Sequence, residues 1–275
     1  MAVDIINPYQ YMNNHDGFHR VSVKLTTKVM ESFYDIEYRN LDRLEAMGDQ
    51  AFFLLPKHQE YQDLLLEGAI LQNVLGRLGN YLMKGELPRI LSLYRGIFID
   101  RPKDTKKVKV STIARIPKVY LDGMMWFAFG PTYLSRPHLA KQTLKDGTIR
   151  GMQLVQTQEG KVRRNLVYKI QLGLLQHDEL LVVHPETTRK PGEKFQPVKT
   201  VLRGILDLQT QIEKSVPYLP LRIFYENPRQ RKSKIIVDVG NPIIIPPDIP
   251  LNGEGGSLEQ LTNHLMQEMD WVPMQ

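Results

Sequence analysis

Five consecutive apolar residues, Ala51-Phe52-Phe53-Leu54-Leu55, stop abruptly at Pro56-Lys57-His58-Gln59-Glu60. A run this short and this uniformly apolar predicts a strand buried on both faces, because a half-exposed strand alternates and a helix runs longer. Further strands are expected at residues 96–99, 180–183 and 235–239, with one more inside 215–225. Between them lie segments of helical spacing. Leu166, Ile170 and Leu174 recur every four residues within 161–176, and helices are also expected at 61–78, 202–212 and 258–269. Strands that alternate with helices predict an α/β fold, a sheet covered on both faces.

Ahead of this pattern, Leu25, Val29 and Phe33 recur every four residues within 21–34. They predict a helix with one buried stripe, a membrane-lying helix being the sharper alternative. A strand and turn follow at 34–44.

His58 and Asp63 stand five residues apart just past the first strand. On one continuous helix their side chains would diverge by roughly 140°, so contact requires a turn between them. Given that turn, the carboxylate can accept a hydrogen bond from one imidazole nitrogen and fix the tautomer. The other nitrogen is then left to take a proton. No serine obviously completes a triad, which points to a hydroxyl brought by the substrate. The plainer alternative is a loop histidine followed by a helix-capping aspartate, and the spacing alone does not choose.

Composition narrows the chemistry. A length of 275 residues suits one large domain or two modest ones, and 42% apolar with 24% charged residues is ordinary for a globular protein. The absence of cysteine excludes disulfides, a cysteine nucleophile and a cysteine zinc site. Neither a signal peptide nor a membrane span is expected: the N-terminus has no basic leader, and the longest apolar stretch, residues 123–130, is far below the ~20 residues of a span. A formal charge of +6 favours anionic partners such as phosphorylated substrates, acidic lipid or an acidic carrier. No nucleic-acid-binding signature accompanies it, so nucleic acid is not expected as a partner.

The charge is concentrated. Arg101, Lys103, Lys106, Lys107, Lys109, Arg115 and Lys118 face one acid, Asp104, and lead to Trp126, Phe127 and Phe129. A solvated basic loop beside a buried turn is one reading. A contact for a membrane surface or an acyl carrier, through Lys106, Lys107, Lys109, Trp126 and Phe127, is the other.

Four short blocks occur in order: His58…Asp63; Gly96-Ile97-Phe98-Ile99-Asp100-Arg101; His184-Pro185-Glu186-Thr187-Thr188-Arg189; and Val216-Pro217-Tyr218-Leu219-Pro220. Together they resemble the glycerolipid acyltransferase family, which includes glycerol-3-phosphate and 1-acylglycerol-3-phosphate acyltransferases. That family shows a His-four-residues-Asp turn, a Gly-x-x-Phe-x-x-Arg strand, a Pro-Glu-Gly-Thr-Arg turn and a Val-Pro-x-x-Pro strand. Lys84-Gly85-Glu86-Leu87 and Val237-Asp238-Val239-Gly240-Asn241-Pro242 resemble two further steps of the pattern. The third block departs from it, with Thr187 in place of the glycine and His184 in place of a phenylalanine.

The resemblance implies a single acyltransferase domain over residues 34–275, a mixed sheet covered by helices. An N-terminal segment with a helix, 1–33, would precede it, and an insertion would occupy about 102–160. It implies acyl transfer from acyl-CoA or acyl-carrier protein to glycerol-3-phosphate or lysophosphatidic acid in phospholipid synthesis. His58 would be the general base and Asp63 its orienter. Arg101 and Arg189 would hold the acceptor phosphate, since a guanidinium offers a planar fork of donors. Gly96, Glu186 and Pro217 would support turns. No cofactor or metal is implied beyond the acyl donor, and the expected location is cytoplasmic, peripheral on a membrane. An acyltransferase with another acceptor, or a non-catalytic lipid-binding relative, is the competing reading.

Overall fold

The structure, a computed structural model, describes residues 6–10, 16–60, 62–84, 95–99, 158–187 and 193–270. In chain order the elements are α1 (Asp16–Phe33), β1 (Asp35–Arg39), α2 (Leu41–Glu45), β2 (Phe53–Pro56), α3 (Asp63–Ile70), β3 (Asn80–Lys84), β4 (Gly96–Ile99), α4 (Gln158–Gln176), β5 (Leu181–Val182), α5 (Lys199–Ile212), β6 (Tyr218–Tyr225), β7 (Lys234–Val239) and α6 (Ser257–Met269). Helix α3 continues through a π turn, Leu71–Leu75, and a 3-10 turn, Pro8–Gln10, precedes α1. Arg101, Lys106, Lys107, Lys109, Trp126, Phe127 and Arg189 lie outside the described residues. So does nearly all of 102–160, where an insertion is expected, although α4 already begins at Gln158.

The strands form one mixed sheet in the order β1-β7-β6-β2-β5-β3-β4. β2 pairs in parallel with both neighbours, Phe53 opposite Tyr218 of β6 and opposite Leu181 of β5. β7 runs antiparallel to β6, with Arg222 opposite Asp238, and β1 follows β7 in parallel. β2 thus has a strand on each side and a core on each face. Phe53 and Leu55 pack with α4, α5 and α6, whereas Phe52 and Leu54 pack with α1, α2 and α3. That is why its sequence is apolar without alternation. The α/β architecture with helices on both faces is the one the sequence predicts.

The connections leaving β2 and β5 go opposite ways. From β2 the chain crosses one face through α3 and passes over β5 to reach β3. From β5 it crosses the other face through α5 and passes over β2 to reach β6. Adjacent parallel strands whose connections diverge leave a crevice at their carboxyl ends, where ligands of open α/β sheets bind.

Two sequence expectations need correction. The first concerns α1, whose expected buried stripe faces outward: Leu25, Val29 and Phe33 are 63%, 52% and 51% exposed, and Val21 beside them 68%. The face turned inward carries His19, Val23, Thr27 and Met30 instead. Two of these are polar, and Thr27 satisfies its hydroxyl within the helix by donating to the Val23 carbonyl at 2.8 Å. Both faces repeat at helical spacing, so periodicity predicts the helix without saying which side is covered. The second is the stretch after β1, which makes a short helix, α2, beyond Asn40 in the left-handed region (φ 55°). Asn80–Lys84, for which the sequence predicts no element, forms β3, an interior strand between β5 and β4. Its first side chain is buried and donates to the Leu180 carbonyl at 2.8 Å.

Far from the crevice, Arg95 ties α1 to the sheet. Its guanidinium donates to both oxygens of Asp16, at 2.9 and 2.7 Å, and lies 3.4 Å from Glu179. At the other margin Gly240 is needed for its size: a Cβ there would come within 2.9 Å of the Pro220 ring and of the Glu268 carboxylate.

Candidate active site

The turn between β2 and α3 is pinned before it carries any chemistry. Lys57 N–H donates to the Leu221 carbonyl at 2.9 Å, and the Gln59 side-chain amide donates to the Ile223 carbonyl. The turn therefore continues the β2–β6 ladder past the end of β2. Lys57 Nζ reaches across to the Glu193 carbonyl at 2.7 Å.

Asp63 is the first residue of α3, and its side chain is fully buried. A lone buried carboxylate would be costly, but this one is surrounded by donors. Oδ2 accepts from the backbone N–H groups of Gln59 (2.7 Å) and Glu60 (2.9 Å) and lies 3.0 Å from His58 Nδ1. Oδ1 accepts from the Tyr225 hydroxyl at 2.6 Å. Its place at a helix N-terminus adds the favourable end of the peptide dipoles. Burial, with Asp63 next to it, pushes the Tyr225 phenol far above its ordinary range, so it stays a donor.

With Nδ1 engaged by a carboxylate, the His58 tautomer places a proton on Nδ1 and leaves Nε2 as the basic nitrogen. Nε2 carries no hydrogen bond among the described residues, and the side chain is 20% exposed. The turn anticipated from the sequence is present, and it brings His58 and Asp63 together.

A second histidine joins them. His184 follows β5 as His58 follows β2, and the two rings stand 4.5 Å apart, tilted by 49°. His184 Nε2 lies 3.0 Å from Oε1 of Glu67, which is fully buried. Glu67 sits four residues after Asp63, on the same face of α3 one turn further on. Burial alone would lower the His184 pKa, but the Glu67, Asp63 and Glu186 carboxylates outweigh it and hold that pKa above the ordinary histidine value.

No family model matches the chain, and no curated protein sequence matches it. A solved structure does. It is the 1-acyl-sn-glycerophosphate (LPA) acyltransferase PlsC from Thermotoga maritima, 14% identical, with 96% of this chain and 85% of that chain covered at a TM-score of 0.46. At that distance the chemistry of this crevice rests on its own residues.

The third block forms the wall beside His184. Glu186 is buried, and its Oε1 accepts from the Gln196 backbone N–H at 3.0 Å, while the Val198 N–H donates to the Pro185 carbonyl at 2.9 Å. Thr187, where the family pattern has glycine, nevertheless takes the left-handed conformation at φ 60°, with its N–H donating to the His184 carbonyl at 3.1 Å. The turn keeps a glycine-like path and places a β-branched residue in it, which is strained. Pro217 is buried just before β6, and its carbonyl accepts the Phe53 N–H at 2.9 Å. Gly96 opens β4 opposite Tyr81, three strand positions from β2 and roughly 14 Å away. β4 ends at the same edge of the sheet as β2 and β5, two residues short of Arg101.

Among the described residues no three His, Asp or Glu side chains are arranged to hold a metal ion, and no helix is long and apolar enough to cross a membrane. A polar cleft of about 490 Å³, lined by Arg39, Arg43, Arg222, Asp238 and Glu268, includes neither histidine of the crevice. Arg222 and Tyr225 stand an odd number of residues apart on β6, so their side chains leave opposite faces.

Sequence reasoning missed Tyr225 and Glu67, and read His184 only as a departure. Glu67 was within reach of it, four residues past Asp63 on an expected helix. Tyr225 lies 162 residues from Asp63 and has no local signature.

Proposed function

We propose that this chain is an O-acyltransferase. It would move a fatty acyl group from an acyl thioester, acyl-CoA or acyl-carrier protein, to a hydroxyl of glycerol-3-phosphate or lysophosphatidic acid. One observation carries the reading: a histidine at the crevice of an α/β sheet, its Nδ1 3.0 Å from a buried carboxylate that is itself held by two backbone N–H groups and a tyrosine. Among the described residues the crevice contributes a base and no nucleophile, which fits a hydroxyl supplied by the acceptor, and the order of the four sequence blocks supports the same reaction.

In this mechanism the acceptor hydroxyl gives its proton to His58 Nε2 as its oxygen attacks the thioester carbonyl carbon. Asp63 holds the ring and stabilises the imidazolium. Collapse of the tetrahedral intermediate restores the carbonyl, breaks the C–S bond and releases a thiolate, which can take the proton from His58. Arg101 and Arg189 would grip the acceptor phosphate and so bring the hydroxyl within reach of His58.

The acyl chain makes the substrate partly lipid, and we extend the proposal to a peripheral membrane contact. Its support is α1, whose exposed Val21, Leu25, Val29 and Phe33 line one side of the helix surface with Lys24 and Lys28 exposed beside them. Apolar residues flanked by cations suit the surface of an anionic bilayer. Lys106, Lys107, Lys109, Trp126 and Phe127 would add to the same contact or receive an acidic acyl carrier.

The test is thioester consumption with a panel of phosphorylated acceptors, comparing the wild-type chain with His58→Ala. Transfer that depends on His58 supports the reading. A folded His58→Ala variant with near-normal transfer would end it. Thr187 favours one alternative, a different acceptor such as a glycolipid hydroxyl, and transfer to an unphosphorylated acceptor alone would select it.

A further inference from the structure

Two acids one turn apart on α3, both fully buried, each hold a histidine, and the histidines come from adjacent strands and meet ring to ring. Only one of these pairs is used by the mechanism above. We propose that His184 is a second catalytic residue, an imidazolium held by Glu67 that donates its Nδ1–H to the carbonyl oxygen of the thioester as that oxygen becomes negative. This rests on the acyl-transfer reading and supplies the donor that reading lacks.

The distances allow it. A hydroxyl within hydrogen-bond reach of His58 Nε2 lies about 3 Å from that nitrogen, and the carbonyl carbon it attacks about 3 Å further on. An oxyanion donor must come within about 3 Å of the carbonyl oxygen. A ring centred 4.5 Å from the base lies inside this radius. The acceptor phosphate is separated from the reacting hydroxyl by the glycerol carbons, so a group in contact with the base is better placed for the carbonyl than for the phosphate.

The proton inventory agrees. His184 is mostly buried, its side chain 13% exposed, and Nε2 is engaged by Glu67. A singly protonated ring would then present Nδ1 as a bare acceptor, so donation requires the imidazolium. Glu67 supplies the reason for the second proton. Its Oε2 is buried and has no hydrogen-bond partner among the described residues, leaving a carboxylate that relies on its histidine for compensation. The groups facing His184 are Glu67 and Asp63 from α3, Glu186 from its own turn and His58 from the turn after β2, three carboxylates around two imidazoles.

The step balances without any further reactant. The hydroxyl proton passes to His58 Nε2, the new C–O bond forms, and the carbonyl π pair moves onto oxygen. There the His184 N–H donates a hydrogen bond without transferring its proton. On collapse that pair re-forms the C=O bond and the thiolate departs with the C–S pair.

His184→Gln keeps a polar side chain against Glu67 and removes the second donor. With folding checked by its melting temperature, kcat should fall about 10²–10³-fold, with KM for thioester and acceptor nearly unchanged. Unchanged kcat, or a rise in acceptor KM alone, overturns the proposal while loss of transfer in His58→Ala preserves the acyl-transfer reading. A wild-type chain that consumes no thioester overturns both. Should His184→Gln fail to fold, Glu67→Gln keeps the ring but removes the charge that holds its proton. The alkaline limb of the kcat profile should then move to lower pH, and an unmoved limb counts against the proposal. Nitrogen-15 NMR of labelled histidine gives a reading independent of turnover: wild-type His184 should be doubly protonated at pH 7, and a neutral ring there overturns the assignment.

Discussion

The hydroxyl of Tyr225, near the end of β6, donates to Asp63 Oδ1 at 2.6 Å and fixes the carboxylate from the side opposite His58. The orientation of His58 thus depends on a strand far along the chain. Tyr225→Phe leaves a buried oxygen without its donor and should cost about 1–3 kcal/mol of stability. It should also lower kcat of acyl transfer several-fold with little change in KM, because the ring is mispositioned rather than the substrate lost. Denaturant melts and steady-state kinetics on the same preparation check both.

His58→Ala removes a partly exposed ring and should abolish transfer while the chain still folds. Asp63→Asn differs. Its amide can accept at one oxygen only, so Gln59 N–H, Glu60 N–H and Tyr225 compete for it, and stability should fall with turnover. A drop in melting temperature in Asp63→Asn but not in His58→Ala is the expected pattern.

Thr187→Gly should stabilise the protein by up to about 1 kcal/mol. Relief of a β-branched residue at φ 60° outweighs the greater freedom of glycine in the unfolded chain. Equilibrium unfolding measures it, and a destabilised variant would show that the threonine side chain contributes more than its backbone strain costs.

Stability should peak near pH 6.5, because two buried histidines pull in opposite directions. Burial, helped by Arg95, pushes His19 from 6.5 down to about 4. The unfolded chain therefore takes up a proton that the folded one refuses, and stability falls by roughly 3 kcal/mol between pH 6.5 and 4. His184 is shifted upward. Its contribution is complete below pH 6.5 and is lost as the pH rises through its folded value. His19→Gln should flatten the acid side of the profile and His184→Gln the alkaline side, in melts taken from pH 4 to 9.

The exposed side of α1 gives the last expectation. Replacing Leu25 and Val29 together by aspartate should leave stability within about 0.5 kcal/mol per site, since both side chains face outward. Binding to anionic vesicles should fall at least ten-fold, each lost apolar side chain being worth on the order of 1.5 kcal/mol. Sedimentation with vesicles decides it, and unchanged binding would remove α1 from the membrane contact.

What was legible in the sequence was local. The β2 run declared an interior strand because burial on both faces leaves no position for a polar residue. His58 and Asp63 could be paired because one turn spans them. His184 and Glu67 are 117 residues apart, and only the parallel alignment of β2 with β5 brings their elements together. The outward stripe of α1 was misread because its inner face includes His19 and Thr27, polar residues that look like surface. β3 escaped because Asn80, Tyr81 and Lys84 dilute a strand whose first polar side chain is buried and hydrogen-bonded.

The strand order has a consequence for how this protein is made. β1, β2 and β3 emerge first from the ribosome, yet no two of them are neighbours in the sheet. β2 waits for β5 and β6 and β1 for β7, while β3 can pair first with β4 and gains its other neighbour only with β5. The nascent first third therefore holds its most apolar segment, Ala51 to Leu55, with no partner to hide it. Such a chain has high contact order and folds late in synthesis. A chain released before β6 would carry His58 and Asp63 without the Tyr225 that holds Asp63 and without the β6 side of the sheet.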